Sequence, residues 1–274
     1  MNFFPDPELK EQLLQLFSDN VLKETAVRNF YAHFCGEYSK PQEGHAIFVQ
    51  PKDKISEKQG VPVAARFCGI DLPVWIAGDS ITCQVMIISQ DPLRNEESFM
   101  HPANPEKDCV LSTPWAAHLK FQLPKGEKTT QTMRKMRQLT TALTEKGVSL
   151  YLTDLYKTFF QMPDKRKSVL CWKKEDRERH REILKEEITL VNPDLIVVFG
   201  HQALGALHTM FVGDGHKDYI HIFKDLDKLV LHLVHPAAYE AQKRFFEHFS
   251  GCHGKAENHE TAILNVLQAK GYTG

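Results

Sequence analysis

Val85-Met-Ile-Ile-Ser-Gln-Asp-Pro-Leu-Arg94 decides how the rest of the chain is read. Four apolar residues run without interruption into a polar turn. A run of this length suits a strand buried on both faces, as in a parallel sheet. A buried helix fits the run alone, but Pro92 would stop a helix where the run ends. Gln90 and Asp91 then sit at the carboxyl end of a central strand, where open α/β sheets bind ligands. An ordinary Asp-Pro turn is the plain alternative.

Three further stretches repeat the pattern. Ser149-Leu-Tyr-Leu-Thr-Asp-Leu155 ends in Thr153 and Asp154, Asp194-Leu-Ile-Val-Val-Phe-Gly200 is a buried run, and Leu229-Val-Leu-His-Leu-Val-His-Pro236 ends in His235-Pro236. Helical spacing lies between and around them. Residues 7–35 read as two helices. Met133, Met136, Leu139 and Leu143 mark one over Thr129–Lys146, with Gly147 as its stop. Ile183, Leu184, Ile188 and Val191 mark Glu175–Leu190, Ala203–Phe211 is a short helix, and two more close the chain at about 237–249 and 259–269. Tyr219–Phe223 alternates as a strand does. Gly69–Ala77 is apolar but broken by Pro73, which predicts an irregular or edge segment. Strands alternating with helices predict one α/β domain over 1–274, with three α/β/α layers around a mostly parallel central sheet. Residues 1–78 are expected as a helical and loop extension packed on a core over 79–250. Gly36–Gly60 and the long stretch Arg94–Gly126 read as loops.

The totals set bounds. The chain has 274 residues, 42% hydrophobic content and a net charge of −1. A strongly basic overall field is absent, so nucleic acid would have to be met by a local patch. No apolar run approaches the ~18 residues that span a membrane, so no membrane partner is expected. The start, Met1-Asn-Phe-Phe-Pro-Asp-Pro7, does not look like a secretory signal, and a cytoplasmic location is expected. Six cysteines form no Cys-x-x-Cys pair and fourteen histidines form no His-Glu-x-x-His pattern, so no metal site or cofactor is expected. No Gly-x-x-x-x-Gly-Lys loop is present, which argues against an NTPase.

If the strands run parallel, Gln90-Asp91, Thr153-Asp154 and His235 line one edge of the sheet. Carboxylates and an imidazole facing one crevice suit acid–base work or the stabilisation of developing charge. Singly, each is as well explained as a turn residue, a cap or a structural histidine.

In order and spacing these stretches resemble the uracil-DNA glycosylase superfamily. Ser89-Gln-Asp-Pro92 resembles its first motif, Tyr151-Leu-Thr-Asp-Leu-Tyr-Lys157 its Thr-Asn strand leading to a Lys, Asn192–Ala203 its Pro, strand and Gly-x-x-Ala section, and Val234-His-Pro-Ala-Ala-Tyr239 its His-Pro motif. The resemblance covers about residues 80–250. It implies a monomer that flips a base out of single-stranded or duplex DNA and cleaves its N-glycosidic bond. By that resemblance Asp91 orients water or stabilises the sugar cation, while His235 and the backbone near Gln90 stabilise the departing base. Trp115 or Phe99 could supply a stacking ring. Arg94, Lys157 and Lys165-Arg166-Lys167 could touch phosphates; a solvated loop explains the last three equally well.

The sequence departs from the family at the base-reading position, which is Asp154 where an Asn is usual. An ionised Asp accepts from uracil N3–H but repels O4. A protonated one reproduces the uracil pattern and also matches cytosine. A shifted alignment would leave this task to another residue. Two other readings stay open: a nucleic-acid or nucleobase-binding module with altered chemistry on the same fold, and an unrelated α/β enzyme acting on a small nucleotide or phosphate ester. The early Cys-x-x-Cys that some branches of the family carry for an iron–sulfur cluster is missing, so no cluster is expected.

Overall fold

The computed structural model describes residues 2–35, 47–49, 66–90, 109–121, 129–161 and 174–272. Its larger sheet has eight strands: β1 (Asn2–Phe3), β4 (Val74–Ala77), β5 (Cys83–Ser89), β7 (Val148–Asp154), β9 (Leu195–Phe199), β10 (Gly213–Lys217), β11 (Ile220–Phe223) and β12 (Leu226–Leu233). They lie in the order β1-β4-β7-β5-β9-β12-β11-β10. The four long apolar runs are the four central strands, β7, β5, β9 and β12, and they are parallel. The outer pairings, β1 with β4, β4 with β7, β12 with β11 and β11 with β10, are antiparallel. The sheet is therefore parallel at its centre and mixed overall. The reason for the parallel centre is burial: strands apolar on both faces need covering on both faces.

Helices precede, connect and follow the central strands. They are α1 (Pro7–Asn20), α2 (Glu24–Cys35), α3 (Gln131–Thr144), α4 (Lys174–Val191), α5 (His201–Met210), α6 (Tyr239–His253) and α7 (His259–Ala269). Their starts follow local chemistry. The Asp6 carboxylate accepts from the N–H groups of Glu8 and Leu9, at 2.9 and 3.1 Å, just ahead of Pro7. Thr130 Oγ1 accepts from Met133 N–H at 3.1 Å. Contacts link α1 to α2 and to α4, and α4 to α5; a separate set links α3 and α6 to α7.

The segment after Pro73 differs from the expectation. Val74–Ala77 is neither irregular nor an edge. As β4 it is buried throughout and sits between β1 and β7. Residues assigned to an N-terminal extension thus supply β1 and β4 to the main sheet. Stretches expected as loops also hold strands. A second sheet, in the order β2-β6-β3-β8, joins β2 (Ile47–Val49), β3 (Arg66–Asp71), β6 (Cys109–Ser112) and β8 (Thr158–Gln161). Pieces of three to six residues carry too little periodicity to be seen, and they are defined by partners far off in sequence. The chain leaves β3 for β4 through Leu72-Pro73, whose lack of an N–H suits a break between two ladders. Asp71 N–H donates to Lys157 O at 2.8 Å, which extends the β3–β8 ladder back toward the end of β7. Among the described residues no helix is long and apolar enough to cross a membrane.

Candidate active site

Parallel register brings the polar strand ends together. Ser89 lies opposite Asp154 across β5 and β7. Beyond that pair, Leu155 N–H donates to Ser89 O at 2.8 Å and Tyr156 N–H to Gln90 O at 2.9 Å. The turns that follow the two strands are therefore tied backbone to backbone. Asp154 is 3% exposed. Phe199 lies opposite Leu233, and Gly200 N–H donates to Leu233 O at 3.1 Å. His235 thus stands beside the end of β9. Gly200 has φ +85°, and a Cβ there would come within 4.0 Å of His235 Cβ. This is a left-handed position that a glycine accepts without steric cost.

His235 is oriented by its own turn. Its Nδ1 accepts from Ala237 N–H at 3.1 Å, so the neutral ring carries its proton on Nε2. Burial lowers its pKa below the ordinary histidine value. Helix α3 braces the turn: Gln242 Nε2 donates to Pro236 O at 2.7 Å, and Lys135 Nζ donates to Gln242 Oε1. Lys135 also lies 4.5 Å from the Tyr239 ring centroid, and Tyr239 OH pairs with Thr132 Oγ1 at 2.8 Å. Tyr239 remains 39% exposed, a large aromatic surface beside the imidazole.

Trp115 joins this end of the sheet through Phe199. Its ring meets the Phe199 ring edge-on at 6.0 Å, and the Phe199 ring meets His235 at 6.3 Å. Trp115 and Ala116 hold positive φ of 52° and 55°. Two adjacent left-handed residues without glycine are costly, and such strain gathers where a side chain must be aimed. Thr113 Oγ1 stabilises the turn by accepting from His118 N–H at 3.1 Å.

Lys157 requires a correction. Its ammonium is fully buried in an ion pair with Glu187, so it is not placed to meet a phosphate at the surface. It also donates to Thr153 Oγ1 at 2.5 Å and to the Asp154 carbonyl at 2.6 Å. Glu187 Oε1 accepts from Tyr151 OH at 2.9 Å and from Thr153 Oγ1 at 2.7 Å. A carboxylate and several acceptors thus surround the buried ammonium and offset the cost of its desolvation. The network lies under the strand end that carries Asp154, where it acts on backbone position.

Of the residues singled out from sequence, Gln90, Asp154, Trp115 and His235 are at or near this edge. Asp91, Arg94, Phe99, Lys165, Arg166 and Lys167 lie outside the described residues. Glu187 and Phe199 were missed. A signal for Glu187 was present, since it follows Ile183 and precedes Val191 by four residues each on the apolar stripe of α4. Phe199 looks like any other apolar residue of a buried run.

Two buried histidines make the fold sensitive to acid. His259 is held at a pKa of about 4, chiefly by burial, and its Nε2 donates to Val234 O at 2.7 Å. His180 is held at about 3, again chiefly by burial, with Lys157 adding to it. A base whose folded pKa lies below its unfolded value of ~6.5 protonates first in the unfolded chain. Stability is then complete above pH ~6.5 and falls as the pH drops toward 4. The size is of order 3 kcal/mol per ring. Urea midpoints measured between pH 7.5 and 4.5 should fall steeply over that window, and His259→Gln should flatten the slope; an unchanged slope would refute this assignment.

The sequence profile of the uracil DNA glycosylase superfamily matches residues 77–267. No curated protein matches the chain. The matched span contains all four central strands and the turns that follow them.

Proposed function

The chain belongs to the uracil-DNA glycosylase superfamily, and on that premise we propose that it hydrolyses the N-glycosidic bond of uracil or another damaged base flipped out of DNA. The observation that carries this reading is the convergence at one sheet edge. Ser89 and Gln90 lie beside the end of β7 that carries Asp154, and His235 stands past the end of β12 with its proton on Nε2. Flipping puts the reacting base in a pocket where its edge is read and its face is stacked. Asp91 follows Gln90 directly. Its carboxylate would stabilise the sugar cation or orient the water that adds to it. The bond electrons leave with the base, and His235 Nε2–H would donate to the base carbonyl on which the negative charge collects. Trp115 supports the stacking role through its position beside Phe199.

With a net charge of −1, DNA would be held by local cations. Arg94 and Lys165-Arg166-Lys167 remain the residues proposed for phosphates, and the protein would act as a monomer. Asp154, buried at the base-reading position, favours a second reading, a catalytically altered module that binds a nucleobase or DNA without cleaving it.

Base release from labelled oligonucleotides, single-stranded and duplex, separates the two. The panel holds uracil, hypoxanthine, xanthine, thymine and cytosine. The expected result is release of one base by the wild type and none by Asp91→Asn. Tight binding without release would select the second reading. Neither release nor binding would overturn both.

A further inference from the structure

Five histidines gather where α5 meets the β10–β12 side of the sheet: His201, His208, His216, His221 and His232. Ring centroids stand 4.8 Å apart for His201 and His232, 6.2 Å for His221 and His232, 5.6 Å for His216 and His221, and 5.2 Å for His208 and His221. The proposed glycosylase chemistry uses none of them.

The pair whose ring nitrogens face each other is His208 of α5 and His221 of β11, 13 residues apart in sequence. His208 Nε2 and His221 Nδ1 face each other at 3.3 Å, with the ring planes at 77°. Two nitrogens bound ~2.0–2.1 Å from one tetrahedral ion stand about 3.3–3.4 Å apart, with their ring centroids about 5 Å apart. Both distances fit. The same contact also meets the geometry of a direct N–H···N hydrogen bond, which ties the pair together when no ion is bound. A second observation points the same way. His232, only 8% exposed, has a ring nitrogen, Nε2, with no hydrogen-bond partner among the described residues. One ring next to the pair thus keeps a nitrogen without a partner among the described residues.

We propose that His208 and His221 form an open two-histidine site for a borderline divalent transition metal, of which Zn²⁺ is the test case. Imidazole pairs select zinc, copper and nickel over magnesium and calcium, which prefer oxygen. Among the described residues no three His, Cys, Asp or Glu side chains are arranged to enclose an ion. Water completes the coordination, and the ion reaches the pair through His208, which is exposed. Bound there, the metal ties α5 to β11 and stabilises the antiparallel flank of the sheet. Sequence spacing did not reveal the pair because its members come from different elements. This site is independent of the glycosylase reading.

The test uses tag-free, chelator-treated full-length protein titrated with Zn²⁺ by calorimetry, and with Co²⁺ followed by its visible absorption. Saturable binding of one ion per chain is expected. His208→Ala and His221→Ala should each weaken it by more than about tenfold, while His248→Ala, outside the cluster, should leave it unchanged. Zn²⁺ should raise the melting temperature of the wild type and not that of His208→Ala. Should the buried His221 variant fail to fold, the exposed His208 variant alone decides. Absence of saturable binding, or equal affinity in wild type and His208→Ala, would overturn the proposal.

Discussion

Replacing His235 with alanine should slow base release by about 10²–10³-fold, the loss seen when one placed donor to a developing anion is removed. The effect should fall on the chemical step and leave substrate affinity nearly intact. Ala237 N–H occupies Nδ1, so Nε2 presents the proton. The ring is held against the edge of Phe199, and its turn is braced by Gln242. Burial lowers its pKa and so favours the neutral ring, the form in which Nδ1 can accept from Ala237 N–H and Nε2–H is free to face the base. The fold should survive, since the ring lies at the partly exposed end of β12 and gives up one hydrogen bond worth about 1 kcal/mol. Single-turnover rates on the released base, together with melting temperatures, check the expectation. A variant that melts like the wild type and cleaves within threefold of it would remove His235 from the mechanism.

Breaking the buried ion pair should have the largest effect on stability. Lys157→Met leaves the Glu187 carboxylate fully buried without its cation, at a cost of about 3–5 kcal/mol. Glu187→Leu should cost a similar amount, because it strands the ammonium. The double variant should be more stable than either single one, since two apolar side chains replace two compensating charges. The Tyr151 and Thr153 hydroxyls lose their acceptor in it, so recovery should be incomplete. Urea unfolding of all four proteins gives the coupling energy directly. Additive losses, or single-variant losses below about 1 kcal/mol, would show that the pair is not a unit.

The central sheet was legible because its four strands are apolar on both faces, a property of each stretch alone. The polar residues at their ends were legible too, because Gln90, Asp154 and His235 each stop an apolar run. The second sheet was not, since Ile47–Val49 or Cys109–Ser112 becomes a strand only by finding its partner. Lys157 was misread for a related reason. A lysine after a strand is usually solvated, and nothing nearby in sequence shows that a carboxylate 30 residues later lies against it.

By itself, then, the sequence determined which stretches are buried, where helices begin, and which polar groups follow the strands, because periodicity and capping act within one or two turns. Only the tertiary structure decided which strand lies beside which. Register across β5, β7, β9 and β12 sets Asp154 beside Ser89 and His235 beside Phe199. It also decided that Lys157 faces Glu187 and that His208 faces His221. These are pairings between residues far apart along the chain. Their energies depend on distance and desolvation, which no local pattern encodes.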